Sequence, residues 1–228
     1  MVFPARQYSK SLWSYNPIPG GCVLFLPLWS PGLKGPVFKS IDRYGHPCSV
    51  TGAVWGQTGR LFDATNDQID CGTPSVLQMT TDTTIHIWYK ATDLVAEKCL
   101  LSKNNINLQD RLRIPLGAAD KFYCFKECQN DGTITITGTT TAVAGVWYFV
   151  TVRLGSLGFT LSINGTQEAS SADIKVLSAG TVSGLLLGLD YGGNTPANGT
   201  IGEVIIYNRW QSDSEGRHIH QATKWRYQ

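Results

Sequence analysis

Alternating apolar and polar residues recur along most of the chain and predict β-strands that turn one face toward a core. Residues 84–88, 133–137 and 159–163 each alternate with a period of two, the spacing at which successive side chains of a strand point to opposite faces. Turn-forming pairs such as Asn164 and Gly165 separate these segments at short intervals. The pattern predicts an all-β fold, a two-sheet antiparallel β-sandwich.

One segment near the C-terminus departs from this period and predicts a short helix over residues 212–222. Ser212 precedes it, and Glu215 follows three positions later. A serine N-cap and a glutamate at this spacing form a capping box, in which each side chain accepts a hydrogen bond from the backbone of the other residue. The sandwich is therefore expected to carry one short C-terminal helix.

The apolar segment 199–209 contains a single acidic residue, Glu203, among strong β-formers. A carboxylate left buried and unpaired would cost several kcal/mol, on the order of the whole stability of a small domain. Glu203 must therefore be solvated, paired or bound to a cation. Arg209 and backbone donors are its candidate partners within the protein.

Composition limits the number of domains and the classes of partner. A chain of 228 residues with 24 glycines and 10 prolines suits one domain of many short strands, which we place at residues 20–228. Net charge is only +2, with both signs interspersed, so neither nucleic acid nor an anionic membrane is expected as a partner. The chain also has no apolar run long enough to insert into a membrane.

Residues 1–19 are expected to form an arm outside the sandwich, because its prolines remove donors that a sheet would need. The aromatic side chains of the arm either fold back on their own domain or dock on a neighbouring subunit. The candidate assembly residues at the two ends of the chain are Tyr8, Trp13, Tyr15, Trp225 and Tyr227. The arm lacks the continuous apolar stretch of a signal peptide, so we expect a virion or the cytoplasm of the producing cell, with an extracellular location as the alternative.

The six cysteines contain no CxxC pair, and the four histidines are not spaced with them as zinc ligands. Without an export signal, buried free thiols are the favoured interpretation. A disulfide between Cys124 and Cys128, which lie close together in the sequence, stays as the alternative.

Several segments occur in an order that carries a family resemblance. They are GCVLFLPL at 21–28, DRYGH at 42–46, GRLFDATNDQID at 59–70, TIHIWYK at 84–90, GVWYFVTV at 145–152 and GTIGEVIIYNR at 199–209. Together they resemble the laminin-G-like jelly rolls of the concanavalin A-like lectin/glucanase superfamily. The resemblance covers roughly residues 20–220 and implies a jelly-roll sandwich.

The resemblance implies a calcium site as the one cofactor to consider, and no other cofactor is required. Its ligands would be Asp42 and Glu203, since calcium prefers carboxylate and carbonyl oxygens. Gly202 stands where the family usually carries aspartate, which removes one ligand. The alternatives are an Asx-turn at Asp42 and an internal partner for Glu203.

The resemblance also implies a sugar site on loops at the sandwich edge. The candidate ligand-binding residues are Tyr44, His46, Tyr191, Asn194 and Asn198. Ordinary turn chemistry is the alternative for the last three. No strand carries the closely spaced carboxylates of a retaining glucanase, so we expect no enzymatic activity.

We therefore expect a non-enzymatic binding or assembly protein, with other protein subunits and a polysaccharide as partners. A virion-type decoration or fibre protein that binds surface glycans is the favoured form. A stand-alone carbohydrate-binding lectin module is the alternative, and a glycoside hydrolase relative comes third.

Overall fold

The computed structural model describes residues 20–104, 110–128, 132–180 and 184–227. The arm at residues 1–19, with Tyr8, Trp13 and Tyr15, lies outside the described residues. The strands are β1 (Cys22–Pro27), β2 (Val37–Lys39), β3 (Pro47–Thr51), β4 (Val54–Gly56), β5 (Gly59–Asp63), β6 (Gln68–Asp70), β7 (Thr83–Ala91), β8 (Lys98–Asn104), β9 (Arg111–Leu116), β10 (Lys121–Glu127), β11 (Thr133–Thr141), β12 (Trp147–Gly155), β13 (Gly158–Ile163), β14 (Thr166–Ser171), β15 (Leu186–Leu187) and β16 (Asn198–Tyr207).

These strands form two antiparallel sheets of eight strands each. The first sheet has the order β14-β13-β12-β7-β16-β5-β4, and β1 pairs with β16 beyond the end of β5. The second sheet has the order β11-β10-β9-β8-β15-β6-β3-β2. One continuous apolar cluster, with members such as Ile87 of β7 and Ile114 of β9, fills the space between the sheets. The predicted all-β sandwich is confirmed.

Helix α1 (Asp213–Thr223) is the predicted C-terminal helix, and three-residue 3₁₀ turns lie at Pro31–Leu33, Ser75–Leu77, Ala118–Asp120 and Lys224–Arg226. Ser212 accepts a hydrogen bond from the amide of Glu215, and the Glu215 carboxylate accepts one from the amide of Ser212. This capping box satisfies two of the backbone donors that a helix start leaves without partners. The helix begins at the position that the sequence predicts.

The outer face of the first sheet is buried at its central strands, β7, β12 and β16. Trp88, Phe149 and Tyr207 pack there with Ile219 of α1 and with Tyr227, forming a second apolar cluster. Alternate residues of β7 therefore face either the core or the C-terminal segment, and eight of its nine residues are buried. The period-two pattern marks two buried faces in this strand.

All six cysteines are buried and free, which confirms the favoured interpretation of the sequence. Cys124 and Cys128 form no disulfide. In the part of the chain that the structure describes, no helix has the length and apolar character needed to cross a membrane.

Candidate functional site

A cavity of about 290 Å³ opens at one end of the sandwich. Three connections meet there: the loop after β5, the loop between β7 and β8, and the loop that leads into β16. We call this cavity the loop-end pocket. It is lined by Ala64, Asp93, Val95, Ala96, Glu97, Lys98, Asn194, Pro196 and Asn198. The pairing of Gly199 with Ala91 brings the second and third connections together.

Asp93 is a fixed hydrogen-bond acceptor on one wall of this pocket. Its carboxylate lies 2.9 Å from the Lys98 ammonium, accepts a hydrogen bond of 3.1 Å from the Val95 amide and accepts another from the Asn198 side chain. The hydrogen bond from Lys98 is the main reason that the pKa of Asp93 is lowered. Asp93 therefore stays ionised, and Lys98 compensates its charge.

Glu97 is a second hydrogen-bond acceptor in the loop between β7 and β8, and it also lines the pocket. It accepts hydrogen bonds of 2.6 Å from the Arg113 guanidinium and of 2.6 Å from the Tyr123 hydroxyl. Burial, helped by the bond to Glu97, raises the pKa of Tyr123, so its hydroxyl remains a neutral donor. Arg113 also donates to Thr195 across 2.7 Å and so ties the sheet to the loop before β16.

Asp190 fixes the loop that leads into β16 through hydrogen bonds to its backbone. Its carboxylate accepts hydrogen bonds from the amides of Asn194 and Thr195, at 2.7 Å and 3.1 Å, and lies 3.9 Å from Arg113. Backbone amides held by one carboxylate give the loop a defined conformation. The Asn194 side chain is thereby placed at the pocket, where its amide is exposed.

The outer face of the second sheet is connected to the pocket by the hydrogen bond from Tyr123 to Glu97. Phe125 is two residues along β10 and lies 4.9 Å from the Arg111 guanidinium, which is paired with Glu127 at 2.9 Å. The outer residues of the adjacent strand β11 are exposed threonines at 133, 135, 137, 139 and 141. This outer face thus carries aromatic rings beside a row of hydroxyl groups.

The structure places two of the five predicted ligand-binding residues, Asn194 and Asn198, in the lining of the pocket. Tyr191 lies in the same loop as Asn194 but outside the lining, and it is 42% exposed. Tyr44 and His46 stack on each other with centroids 5.4 Å apart, and His46 bonds the carbonyl of Val23 in β1.

Strand register separates this stacked pair from the pocket. In the loop that contains Tyr44, the Asp42 carboxylate accepts a hydrogen bond from the amide of Phe25 in β1. Phe25 pairs with Ile205 of β16. Ile205 is seven residues along β16 from Asn198, or roughly 20 Å at strand spacing. The expected placement of Tyr44 and His46 across from Asn194 and Asn198 therefore does not occur.

Comparison with known proteins agrees with this architecture. A family model described as the concanavalin A-like lectin/glucanases superfamily matches residues 63–215. The chain belongs to the concanavalin A-like lectin/glucanases superfamily. No curated protein matches the sequence.

Solved structures of this architecture are similar in fold at low sequence identity. A Trypanosoma rangeli sialidase superposes with a TM-score of 0.73 at 14% identity, over 97% of this chain and 39% of that one. The botulinum neurotoxin serotype D binding domain gives 0.67 at 12% identity, over 92% and 53%. Domain 4 of AbnA, an arabinanase from Geobacillus stearothermophilus, in complex with arabinotriose, gives 0.65 at 15% identity, over 88% and 98%. The chain thus spans about half or less of the first two proteins.

Asp42 and Glu203, the calcium ligands that the resemblance implies, each have hydrogen-bond partners within the protein. One Asp42 oxygen accepts a hydrogen bond of 2.8 Å from the Tyr44 amide, as in an Asx-turn, and the other accepts one of 3.0 Å from the Phe25 amide of β1. Glu203 faces the guanidinium of Arg226, whose charge would repel a cation. Across the described ranges, no cluster of three or more His, Cys, Asp or Glu side chains is placed to hold a metal ion.

Glu203 is only 2% exposed, and its partner is Arg226 rather than Arg209. One carboxylate oxygen accepts hydrogen bonds of 3.3 Å from Arg226 and of 3.3 Å from the Trp29 indole. Burial raises the pKa of Glu203 to about 7, against the lowering effect of Arg226. Arg209 instead pairs with Glu215 at 2.7 Å.

The two predicted C-terminal assembly residues differ in exposure. Trp225 is 57% exposed, whereas Tyr227 is 5% exposed and stacks on Trp88 with centroids 4.5 Å apart. The expectation that Tyr227 contributes to a surface aromatic patch is wrong, because its ring fills a groove on the outer face of the first sheet.

Sequence reasoning missed most of the polar residues around the pocket: Asp93, Glu97, Lys98, Arg113 and Tyr123. The only local signal is the charged stretch at residues 93–98 between two apolar strands. Asn194 and Asn198, which line the pocket with this stretch, lie about a hundred residues later in the sequence. The pairing of β7 with β16 brings the two segments together.

Proposed function

We propose that this chain is a non-enzymatic binding protein that holds an uncharged oligosaccharide or polysaccharide in the loop-end pocket. The observation that supports this most directly is the internal pairing of its charges. Asp93 is neutralised by Lys98 and Glu97 by Arg113, so the pocket presents fixed acceptors and donors with little net charge. Such an arrangement suits the hydroxyl groups of a neutral sugar.

The same pairing argues for binding rather than glycoside hydrolysis. A hydrolase needs one carboxyl group that gives up a proton and a second that is free to act on the sugar. Asp93 is held ionised by Lys98, and Glu97 already accepts two hydrogen bonds. The arabinotriose complex of the arabinanase domain lends support to a sugar as ligand. A glycoside hydrolase relative is the third of the functional alternatives.

The proposal predicts that Asn194→Ala weakens glycan binding roughly five- to tenfold, the effect of one net hydrogen bond. A glycan array first identifies the ligand, and calorimetry then measures Kd for the wild-type protein and the variant. Asn208→Ala removes an exposed asparagine at the far end of β16 and is the matched control, with an unchanged Kd.

Two results would contradict the proposal. One is an array without hits, and the other is an equal loss of affinity in both asparagine variants. The uncharged class of ligand has its own readout, because a neutral sugar gives a Kd that barely changes with ionic strength. A steep salt dependence would point to a charged glycan instead.

Assembly into a larger particle, such as a virion in which this chain is a decoration or fibre subunit, is our second proposal. Its support is the exposed ring of Trp225, together with the aromatic residues of the arm. Large apolar rings at the surface favour protein partners. In this role the chain would reside on the particle or in the cytoplasm of the producing cell, and an extracellular location is the alternative.

The assembly proposal predicts that the full-length protein sediments as an oligomer and that Trp225→Ala or deletion of residues 1–19 shifts it toward monomer. Leu157→Ala is the control, since Leu157 is 70% exposed in the turn between β12 and β13. Sedimentation velocity measures the distribution. A monomeric wild-type protein, whose size is unaffected by these changes, would refute this role.

A further inference from the structure

Two buried cysteines face each other across neighbouring strands of the second sheet. Strands β3 and β6 pair Ser49 with Asp70 and Val50 with Ile69. One further step in this antiparallel register sets Cys48 opposite Cys71. Both side chains belong to the core between the sheets, with exposed fractions of 1% and 0%.

The direction of the Cys71 amide shows which type of antiparallel pair Cys48 and Cys71 form. The Cys71 amide donates to the carbonyl of Leu185, on the side of β15, across 2.9 Å. It therefore points away from β3, and Cys48 and Cys71 form a non-hydrogen-bonded pair. Directly opposed residues of this kind have Cα atoms about 4.5 Å apart, inside the range of about 4.4 to 6.8 Å that disulfides span.

The two side chains also interact. The Cys48 thiol, which donates to the carbonyl of His46 across 3.5 Å, raises the pKa of Cys71 well above its ordinary value, together with burial of the Cys71 thiol. Cys124 and Cys128, the pair that is close in sequence, are not opposed across two strands: they lie four residues apart along β10 and its continuation, roughly 13 Å at strand spacing.

We propose that Cys48 and Cys71 form a disulfide when the chain folds in an oxidising environment. The bond would close the segment that leaves the second sheet after β3, crosses to the first sheet as β4 and β5, and returns as β6. Ala64 of the loop-end pocket lies within this segment. The two points at which the chain crosses between sheets would thus be tied together.

The chemistry requires a low-molecular-weight disulfide as oxidant. The thiolate of one cysteine attacks a sulfur of the oxidant, whose S–S bond breaks and releases one thiolate. The thiolate of the second cysteine then attacks the mixed disulfide and releases the other thiolate. The two cysteine protons pass to the two released thiolates, so two thiols of the protein are oxidised and the oxidant is reduced to two thiols. Burial in the folded chain disfavours the thiolate of Cys71. The reaction is therefore expected to take place during folding, or when the strands open locally.

The test refolds the full chain in a buffer of oxidised and reduced glutathione and maps its peptides without reduction. The expected result is one cross-linked peptide that joins Cys48 to Cys71. The melting temperature should exceed that of the reduced protein by roughly 5 to 15 °C. Free Cys48 and Cys71 after this treatment, or a bridge between other cysteines, would overturn the proposal.

Variants separate this bond from general effects of oxidation. Cys71→Ala is expected to abolish the difference in melting temperature between oxidised and reduced protein. Cys99→Ala removes an equally buried thiol and should retain that difference. A difference that survives in Cys71→Ala would overturn the proposal, and the peptide map of the wild-type protein decides the question even if a variant folds poorly.

Discussion

Glu203→Gln is expected to gain about 3 kcal/mol of stability relative to the wild-type protein as the pH rises from 4.5 to 7. These limits are the ordinary pKa of a glutamate and the raised pKa of Glu203 in the folded chain, about 7. Each pKa unit corresponds to about 1.4 kcal/mol. Urea denaturation of both proteins at a series of pH values measures the difference.

The sign follows from proton binding. Between these pH values the folded protein holds a proton on Glu203, while the unfolded chain has released it. The state that binds fewer protons gains relative stability as the pH rises, so the free energy of unfolding of the wild-type protein falls over this window and levels off above pH 7. The glutamine has no proton to release, and its amide can keep the bonds to Trp29 and Arg226.

Glu215→Gln provides a control of opposite sign. The hydrogen bond from Arg209 is the main reason that the pKa of Glu215 lies at about 2, so its contribution is present above pH 4.5 and lost as the pH falls toward 2. The wild-type protein should therefore exceed this variant in stability at neutral pH and lose that advantage in acid. A Glu203→Gln difference that is constant with pH would show that Glu203 is ionised throughout.

Local patterns predicted much of the fold. The capping box of Ser212 and Glu215 involves residues three apart, and both of its hydrogen bonds lie within the first turn of the helix. The alternation of residues 84–88 correctly indicated a strand. It could not indicate that both faces are buried, because the cover on the outer face comes from Ile219 and Tyr227, more than a hundred residues later.

The pocket and the partner of Glu203 depend on the same long-range pairing. The family resemblance implied Asn194 and Asn198 as ligand-binding residues, but Asp93 joins them only because β7 pairs with β16. Arg226 reaches Glu203 because the chain after α1 folds back over the first sheet. In the sequence Arg209 is the nearer arginine, yet the capping residue Glu215 holds it.

Gly202 connects these observations. It lies in a bulge of β16, between the pairs Ile201–Tyr89 and Glu203–Trp88. A Cβ atom there would lie 2.4 Å from Cε1 of Tyr227, far inside van der Waals contact. The tyrosine ring thus occupies the space in which a side chain at this position would lie. This gives a physical reason for glycine, and it accounts for the absence of the aspartate that the family resemblance led us to expect.

Gly202→Ala is expected to cost about 2 kcal/mol, because the added methyl group displaces the Tyr227 ring from its place between Trp88 and Trp147. Tyr227→Ala should cost about 4 kcal/mol through the loss of that packing. Urea denaturation measures both values. Gly32→Ala is the control, since its Cβ would meet only the Ser30 hydroxyl, at an ordinary 3.7 Å.

The double variant Gly202→Ala with Tyr227→Ala decides whether the two positions act through one contact. Once the ring is gone, the alanine methyl has room, so the double variant should cost about 4 kcal/mol rather than the sum of about 6. Full additivity would mean that the cost of Gly202→Ala arises elsewhere in the bulge. A coupled result would instead establish that the C-terminal segment seals the outer face of the first sheet against β16, because only that segment carries the ring that Gly202 accommodates.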